Sequence, residues 1–241
     1  MKKNQLLTVL LAFLLLPVFP GAAQNPIVKY FSKLLDESRA EMAVGQILQD
    51  QFVAELNSEL KIELDENLTR RIRKLAENTP RPEMQYNVYV INSDIADEIV
   101  FPGGGVYLTS GLLQTLAADE TQLDFILSRN LMHLVLRHPM KLLKKEGLYA
   151  GLLNQIKLQP EKRDAVKIKE MIRDYLRNQA KMDHQKVDLQ GILLLSSPEK
   201  ARKSAIDLLK KFTGKLWPVS PMDTGNLPAR IEALEKLKLP E

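Results

Sequence analysis

The chain has 241 residues, which is long enough for a domain with a substantial core, and it contains no cysteine. The absence of cysteine excludes disulfides and catalysis by a thiol. The formal net charge is +4, from 34 basic and 30 acidic residues. Because the basic residues are scattered among the acidic ones, we expect no nucleic-acid partner.

The N-terminal segment is organised like an export signal. Two lysines precede an apolar run over residues 6–19, and small residues follow at 21–23. The run is shorter than the roughly 20 residues that span a bilayer. We expect residues 1–23 to be a signal peptide and residues 24–241 to be one domain, periplasmic or secreted. An uncleaved anchor that keeps the protein at the membrane periphery is the alternative.

The first half of the chain predicts helices followed by a small sheet. Residues 26–57 carry two runs of apolar residues at helical spacing. Asp65 is a good N-cap for the next helix. Residues 86–91 alternate like a strand, and segments 99–101 and 106–108 flank three glycines like the strands of a hairpin.

The second half is helical. The segment from about Asp119 to His138 is apolar on nearly every side, which predicts a buried central helix. Further helices with charged outer faces are predicted near residues 141–156 and 160–181, and another begins at Ser197-Pro198. The predicted class is α+β, mainly α-helical, with a small sheet and hairpin beside the central helix.

Several segments occur in an order that marks a known family. They are Asn87-Val88-Tyr89-Val90-Ile91, Pro102-Gly103-Gly104-Gly105, Gly111-Leu112-Leu113, Arg129-Asn130-Leu131-Met132-His133 and Leu136-Arg137-His138. This order resembles the zinc metallopeptidases (gluzincins) that include the CAAX prenyl protease, HtpX and the periplasmic beta-barrel-assembly-enhancing protease. The resemblance is densest over residues 86–195. It implies proteolysis in protein quality control, a cleft at Gly103 and Gly104, and a sheet edge that receives peptide as an added strand.

The zinc-binding pattern of that family is degenerate in this chain. In His-Glu-x-x-His, two imidazoles on one face of a helix bind zinc, and the glutamate is the general base. Arg129 stands at the first histidine, Asn130 stands at the glutamate, and only His133 is retained. Since an amide does not accept a proton from water, the general base is missing.

The resemblance assigns three more positions around the metal. Lys186 stands at the third ligand, Asp188 matches an aspartate behind the ligands, and Arg230 matches an arginine before the last helix. A zinc ion about 4 Å from one guanidinium would be repelled by roughly 8 kcal/mol at an effective dielectric near 20. We expect Arg129 and Lys186 to pair with nearby aspartates, Asp188 or Asp183, in place of the metal; extension of both cations to water is the alternative.

The three histidines offer a replacement ligand set. Residues five apart on a helix differ by roughly 140° in direction, so His133 and His138 should not share a metal. His184 could approach His133, but two imidazoles without a carboxylate make a poor zinc site. We expect no cofactor, with His133 in the core and His138 capping a helix or facing solvent.

Three functions follow from these patterns. The first is an exported pseudopeptidase that binds protein or peptide partners, among them envelope proteins, through the old cleft. The alternative is an active zinc metalloendopeptidase with a rebuilt metal site. The third is a purely structural role, with the cleft filled and the outer helices docking a partner.

Overall fold

The computed structural model describes residues 26–56, 59–116, 118–213 and 226–239. They belong to two compact units, residues 1–39 and residues 40–241. Helix α1 covers Pro26–Leu56, so the described part of the first unit is helical. The expected signal peptide, residues 1–23, lies outside the described residues.

The second unit is mainly helical with one small sheet, as the sequence predicts. The strands are β1 (Ile62–Leu64), β2 (Asn87–Ile91), β3 (Glu98–Phe101) and β4 (Gly105–Thr109). The helices are α2 (Glu66–Ala76), α3 (Ser110–Thr115), α4 (Glu120–Val135), α5 (His138–Lys145), α6 (Leu148–Ile156), α7 (Ala165–Asn178), α8 (His184–Leu194), α9 (Pro198–Phe212) and α10 (Leu227–Glu235). Among the described residues, no helix is both long and apolar enough to cross a membrane.

The sheet has the order β1-β2-β4-β3, so β3 forms one edge. Strands β2 and β4 are parallel, and β3 and β4 form the predicted antiparallel hairpin with Val100 opposite Val106. The hairpin turn needs glycine, because Gly103 and Gly104 have φ values of 82° and 107°. A side chain at Gly104 would also collide with the carbonyl oxygen of Gln85.

Helix α4 is the buried centre of the unit. The carboxylate of Asp119 caps it by accepting from the backbone N–H groups of Thr121 and Gln122. Phe125 and Leu131 are fully buried, and the helix packs against α2, α8 and α9. This confirms the prediction of a central buried helix.

The end of α4 differs from the prediction, which continued the helix to His138. The helix stops at Val135, and Arg137 is left-handed with a φ of 58°. Pro139 explains the break, because in a continuous helix proline would lack the N–H that bonds to the carbonyl of Val135, and its ring would clash with that carbonyl. A new helix, α5, therefore begins at His138 in another direction.

Candidate functional site: a buried charge cluster

Two arginines and an aspartate meet where α4, α8 and α10 pack together. Arg129 Nε donates to Asp188 Oδ1 at 2.9 Å. Arg230 Nε donates to Oδ2 of the same aspartate at 2.6 Å, and its Nη2 donates to Oδ1 at 3.1 Å. Arg129 and Asp188 are both 0% exposed and Arg230 is 1% exposed. The structure thus contains the expected pair between Arg129 and Asp188 and adds Arg230 to it.

A second carboxylate, which the sequence analysis missed, completes the cluster. Glu98 on β3 is 3% exposed and forms an ion pair with Arg129. It also accepts from Asn130 Nδ2 at 2.6 Å, and this amide donates to the carbonyl of Ile126 at 2.8 Å. Asn130 therefore acts as a donor at the position that the resemblance assigns to the general base. The only sequence signal for Glu98 was an acidic residue at the start of an otherwise apolar strand.

The pKa values of Arg129 and Asp188 keep these two side chains charged at neutral pH. Burial lowers the pKa of Arg129 to about 10; the carboxylate of Asp188 opposes this effect, and Arg230 adds to it. Burial alone would raise the pKa of Asp188, but Arg230 and Arg129 outweigh it and hold the value below its usual range. Two cations, Arg129 and Arg230, thus face two carboxylates, Asp188 and Glu98, away from water.

The three histidines lie beside this cluster. The ring centroids of His133 and His184 are 4.9 Å apart, and those of His133 and His138 are 5.2 Å apart. Nδ1 of His133 lies 3.2 Å from Nδ1 of His138. The separation of roughly 140° expected for these two residues assumed one continuous helix. The left-handed turn at Arg137 folds the chain back and brings the two rings together. His138 is 7% exposed and is the first residue of α5, so of the two expected positions, capping a helix or facing solvent, the solvent-facing one was wrong.

His184 is fixed by partners on both ring nitrogens. Its Nε2 lies 3.2 Å from the carbonyl oxygen of Gln179, and its Nδ1 lies 3.1 Å from Arg129 Nη2. Because the carbonyl only accepts and the guanidinium only donates, the neutral ring must carry its proton on Nε2. The lone pair on Nδ1 is therefore used by Arg129.

All three rings are held neutral. Burial is the largest cause in each case, and it lowers the pKa of His133 well below its usual value. Burial, with Lys141 and Lys186 nearby, lowers the pKa of His138 to about 4. Burial, Arg129 and Arg230 lower the pKa of His184 to about 3.

Three of the sequence-predicted positions lie away from the cluster. Lys186 lies on the exposed face of α8, and only its backbone N–H contacts Asp183, at 3.0 Å. The expected side-chain pairing of Lys186 with an aspartate was wrong, because Asp188 and His184, four residues apart, form the face of α8 toward α4. Gly103 and Gly104 lie in the hairpin turn at the other end of β3.

The residues around Arg129 do not fit a catalytic zinc ion. Zinc needs free lone pairs from three protein ligands and an open position for water. The Nδ1 lone pair of His184 accepts from Arg129, and the guanidinium of Arg129 itself offers only donors. In the described part of the chain, no group of three or more histidine, aspartate or glutamate side chains is placed to hold a metal.

The outer edge of β3 is covered by the chain itself. Gln179 Oε1 accepts from the N–H of Val100 at 3.4 Å, and the hydroxyl of Tyr175 donates to the carbonyl of the same residue. Asp97 Oδ1 accepts from the N–H of Glu98 at 2.8 Å. An added peptide strand would need these groups, so this edge does not offer the peptide site that the resemblance implies.

Comparison with known proteins agrees with this architecture. The profile of Peptidase family M48 matches residues 63–236, which include the sheet except for Ile62, the central helix and every residue of the charge cluster. No match is found among curated proteins. Because the family profile covers well over half of the chain, the chain belongs to Peptidase family M48.

Proposed function

We propose that this chain is an exported M48 family member that does not cleave peptides and acts by binding a protein or peptide partner, among them proteins of the cell envelope. The observation that carries the proposal is the guanidinium of Arg129, which lies between Asp188, Glu98 and His184 at the first ligand position of the family helix. A cation paired with two buried carboxylates occupies the place of the metal and repels one.

The missing general base supports the same proposal. Hydrolysis needs a group that takes a proton from the attacking water, and this group must have an accessible lone pair of suitable basicity. Asn130 offers an amide that already donates to Glu98 and to Ile126. Glu98 is a carboxylate, but its oxygens are engaged by Arg129 and Asn130.

The covered edge of β3 limits how a partner is able to bind. Because Tyr175 and Gln179 cover the β3 edge, we propose that the partner does not bind as an added strand there. The export part of the proposal rests on the basic and apolar pattern of residues 1–23.

The experiment that tests the proposal is the zinc content of the mature protein, measured by elemental mass spectrometry after purification without chelator or affinity metal. We expect zinc near background. Close to one equivalent per chain, together with hydrolysis of an unfolded protein substrate, would establish the active alternative.

A matched variant shows whether the fold is able to hold zinc once the helix motif is restored. Arg129→His with Asn130→Glu restores the helix motif and leaves His133 and His184 as further imidazoles, so three histidines surround one point. We expect this variant to take up zinc under conditions in which the natural chain does not. Its melting temperature should rise on zinc addition, because a ligand that binds only the folded state stabilises that state.

A further inference from the structure

A lysine-rich pocket opens on the surface next to the buried histidines. It has a volume of about 290 Å³ and lies between α5 and the start of α8. Its polar lining consists of His138, Lys141, Lys145, Lys181, Asp183 and Lys186.

The pocket carries an excess of positive charge. Lys181 is paired with Glu146 at 3.1 Å, and Asp183 accepts from the backbone N–H of Lys186 as the cap of α8. Within the described ranges, the side chains of Lys141, Lys145 and Lys186 form no ion pair with a carboxylate. Three cations thus face one carboxylate, Asp183, on a concave surface, and the net positive charge is a favourable setting for an anionic ligand.

The lining of the pocket includes an imidazole with one nitrogen available to a ligand. The ring of His138 is 7% exposed and lines the pocket. Its Nδ1 is bonded to Nδ1 of His133 at 3.2 Å, whereas its Nε2 makes no hydrogen bond to the described protein atoms. When Nδ1 of His138 accepts the proton of His133, Nε2 carries a proton and donates toward the pocket.

We propose that this pocket binds a phosphate group, with Lys141, Lys145 and Lys186 as the surrounding cations and Nε2–H of His138 as the donor at its base. Phosphate fits better than carboxylate, because a phosphate monoester carries a charge of about −1.5 to −2 at pH 7 and so gains more from several lysines, which act as point charges. The phosphate can belong to a soluble phosphate monoester or to a lipid headgroup.

Two binding measurements separate these sources. Glycerol phosphate is titrated into the full mature chain by calorimetry at low and constant ionic strength, with acetate as the carboxylate comparison. Vesicles of phosphatidylcholine with and without phosphatidic acid are then tested by co-sedimentation. Saturable binding of glycerol phosphate alone assigns a soluble ligand; vesicle binding that glycerol phosphate displaces assigns a lipid headgroup. If acetate binds as well as phosphate, or if neither probe binds, the proposal is wrong.

Lysine variants test the location of the site. In Lys141→Gln with Lys186→Gln, we expect phosphate affinity to fall by about tenfold, since two partly exposed charge contacts are lost. The control is Lys144→Gln with Lys203→Gln, which removes the same charge from exposed positions outside the pocket and should leave affinity within about twofold. Equal losses in both variants would show non-specific attraction and overturn the proposal.

His138→Asn tests the buried donor. Asparagine keeps a polar group near the position of Nδ1 and removes the group at Nε2, so phosphate affinity should fall while the three lysines remain. The lysine variants alter exposed side chains and retain the fold, so the proposal stays testable even if this buried substitution destabilises the chain. Neither experiment depends on zinc or on peptidase activity.

Discussion

Arg129 is a buried cation, so the residues around it must supply acidic partners. An imidazole at this position can be neutral, whereas a guanidinium stays protonated and must be paired when it is buried. Its partners come from distant parts of the chain, Glu98 on β3 and Asp188 on α8. Arg230 shares Asp188, so this carboxylate compensates two buried cations.

Replacing Asp188 should therefore destabilise the protein strongly. We expect Asp188→Ala to lower the free energy of unfolding by roughly 3 to 5 kcal/mol, because two buried arginines lose a partner. Asp174→Ala, which removes an exposed carboxylate from α7, is the control and should change it by less than about 0.5 kcal/mol. Urea denaturation measures both, and an unchanged midpoint for Asp188→Ala would contradict the role of the cluster.

At the scale of elements, the turn between α4 and α5 decides which histidines meet. This turn is held by Glu41 of α1, which is 1% exposed. Arg81 donates to both oxygens of Glu41, at 3.1 and 2.9 Å, and Arg137 Nε lies 2.9 Å from Oε2. Arg81 also donates to the carbonyl of Leu134 at 3.0 Å, near the end of α4. One buried carboxylate thus fixes the left-handed residue and the helix end.

Removing Glu41 should loosen this turn. We predict that Glu41→Ala lowers the free energy of unfolding by about 3 kcal/mol, because two arginine contacts are lost at a buried site. Hydrogen exchange at the amides of residues 134–138 should become faster than in the natural chain. Glu59→Ala, an exposed change, should leave both quantities unaltered, and protection that persists in Glu41→Ala would show that Pro139 fixes the turn without help.

At the scale of the whole molecule, charged and polar side chains cross-link elements around an apolar core. The buried cluster connects β3, α4, α8 and α10 through Glu98, Arg129, Asp188 and Arg230. The three histidines add α5 to this set. Side chains of the protein itself thus join these elements around the core.

The neutral histidines predict a pH-dependent stability. Their folded pKa values lie below the usual 6.5, so the unfolded chain binds more protons below that pH and stability is lost as pH falls. For His184 alone, the loss at pH 5 relative to pH 7.5 is about 2 kcal/mol. The contribution of Asp188 is retained there, because pH 5 lies above the carboxyl pKa of the unfolded chain.

Urea denaturation at both pH values measures this effect. His184→Asn keeps an acceptor near Arg129 but does not titrate. The free energy of unfolding of this variant should therefore fall by about 2 kcal/mol less between pH 7.5 and pH 5 than that of the natural chain. Equal stability of the natural chain at the two pH values would mean that the rings take up protons at pH 5 as readily in the folded protein as in the unfolded chain, which would contradict the prediction.

Local features of the fold could be predicted because neighbouring residues determine them. Asp65 and Asp119 cap helices as expected, and the glycines of the hairpin have the positive φ values that the turn requires. The apolar run around Leu131 fixed the central helix in the same way. Each of these depends on spacing along the chain, which the sequence shows directly.

From the sequence by itself we predicted that Arg129 and Asn130 stand at the ligand and base positions of the family motif, and that Arg129 needs an acidic partner. Only the tertiary structure decided that Glu98 and Arg230 join Asp188 there, that His138 meets His133, and that Lys186 lies outside. The physical reason is that partners far apart in sequence are chosen by how helices and strands pack. Their packing here depends on the left-handed conformation of Arg137. A glycine at this position would have indicated such a conformation from the sequence, whereas an arginine does not.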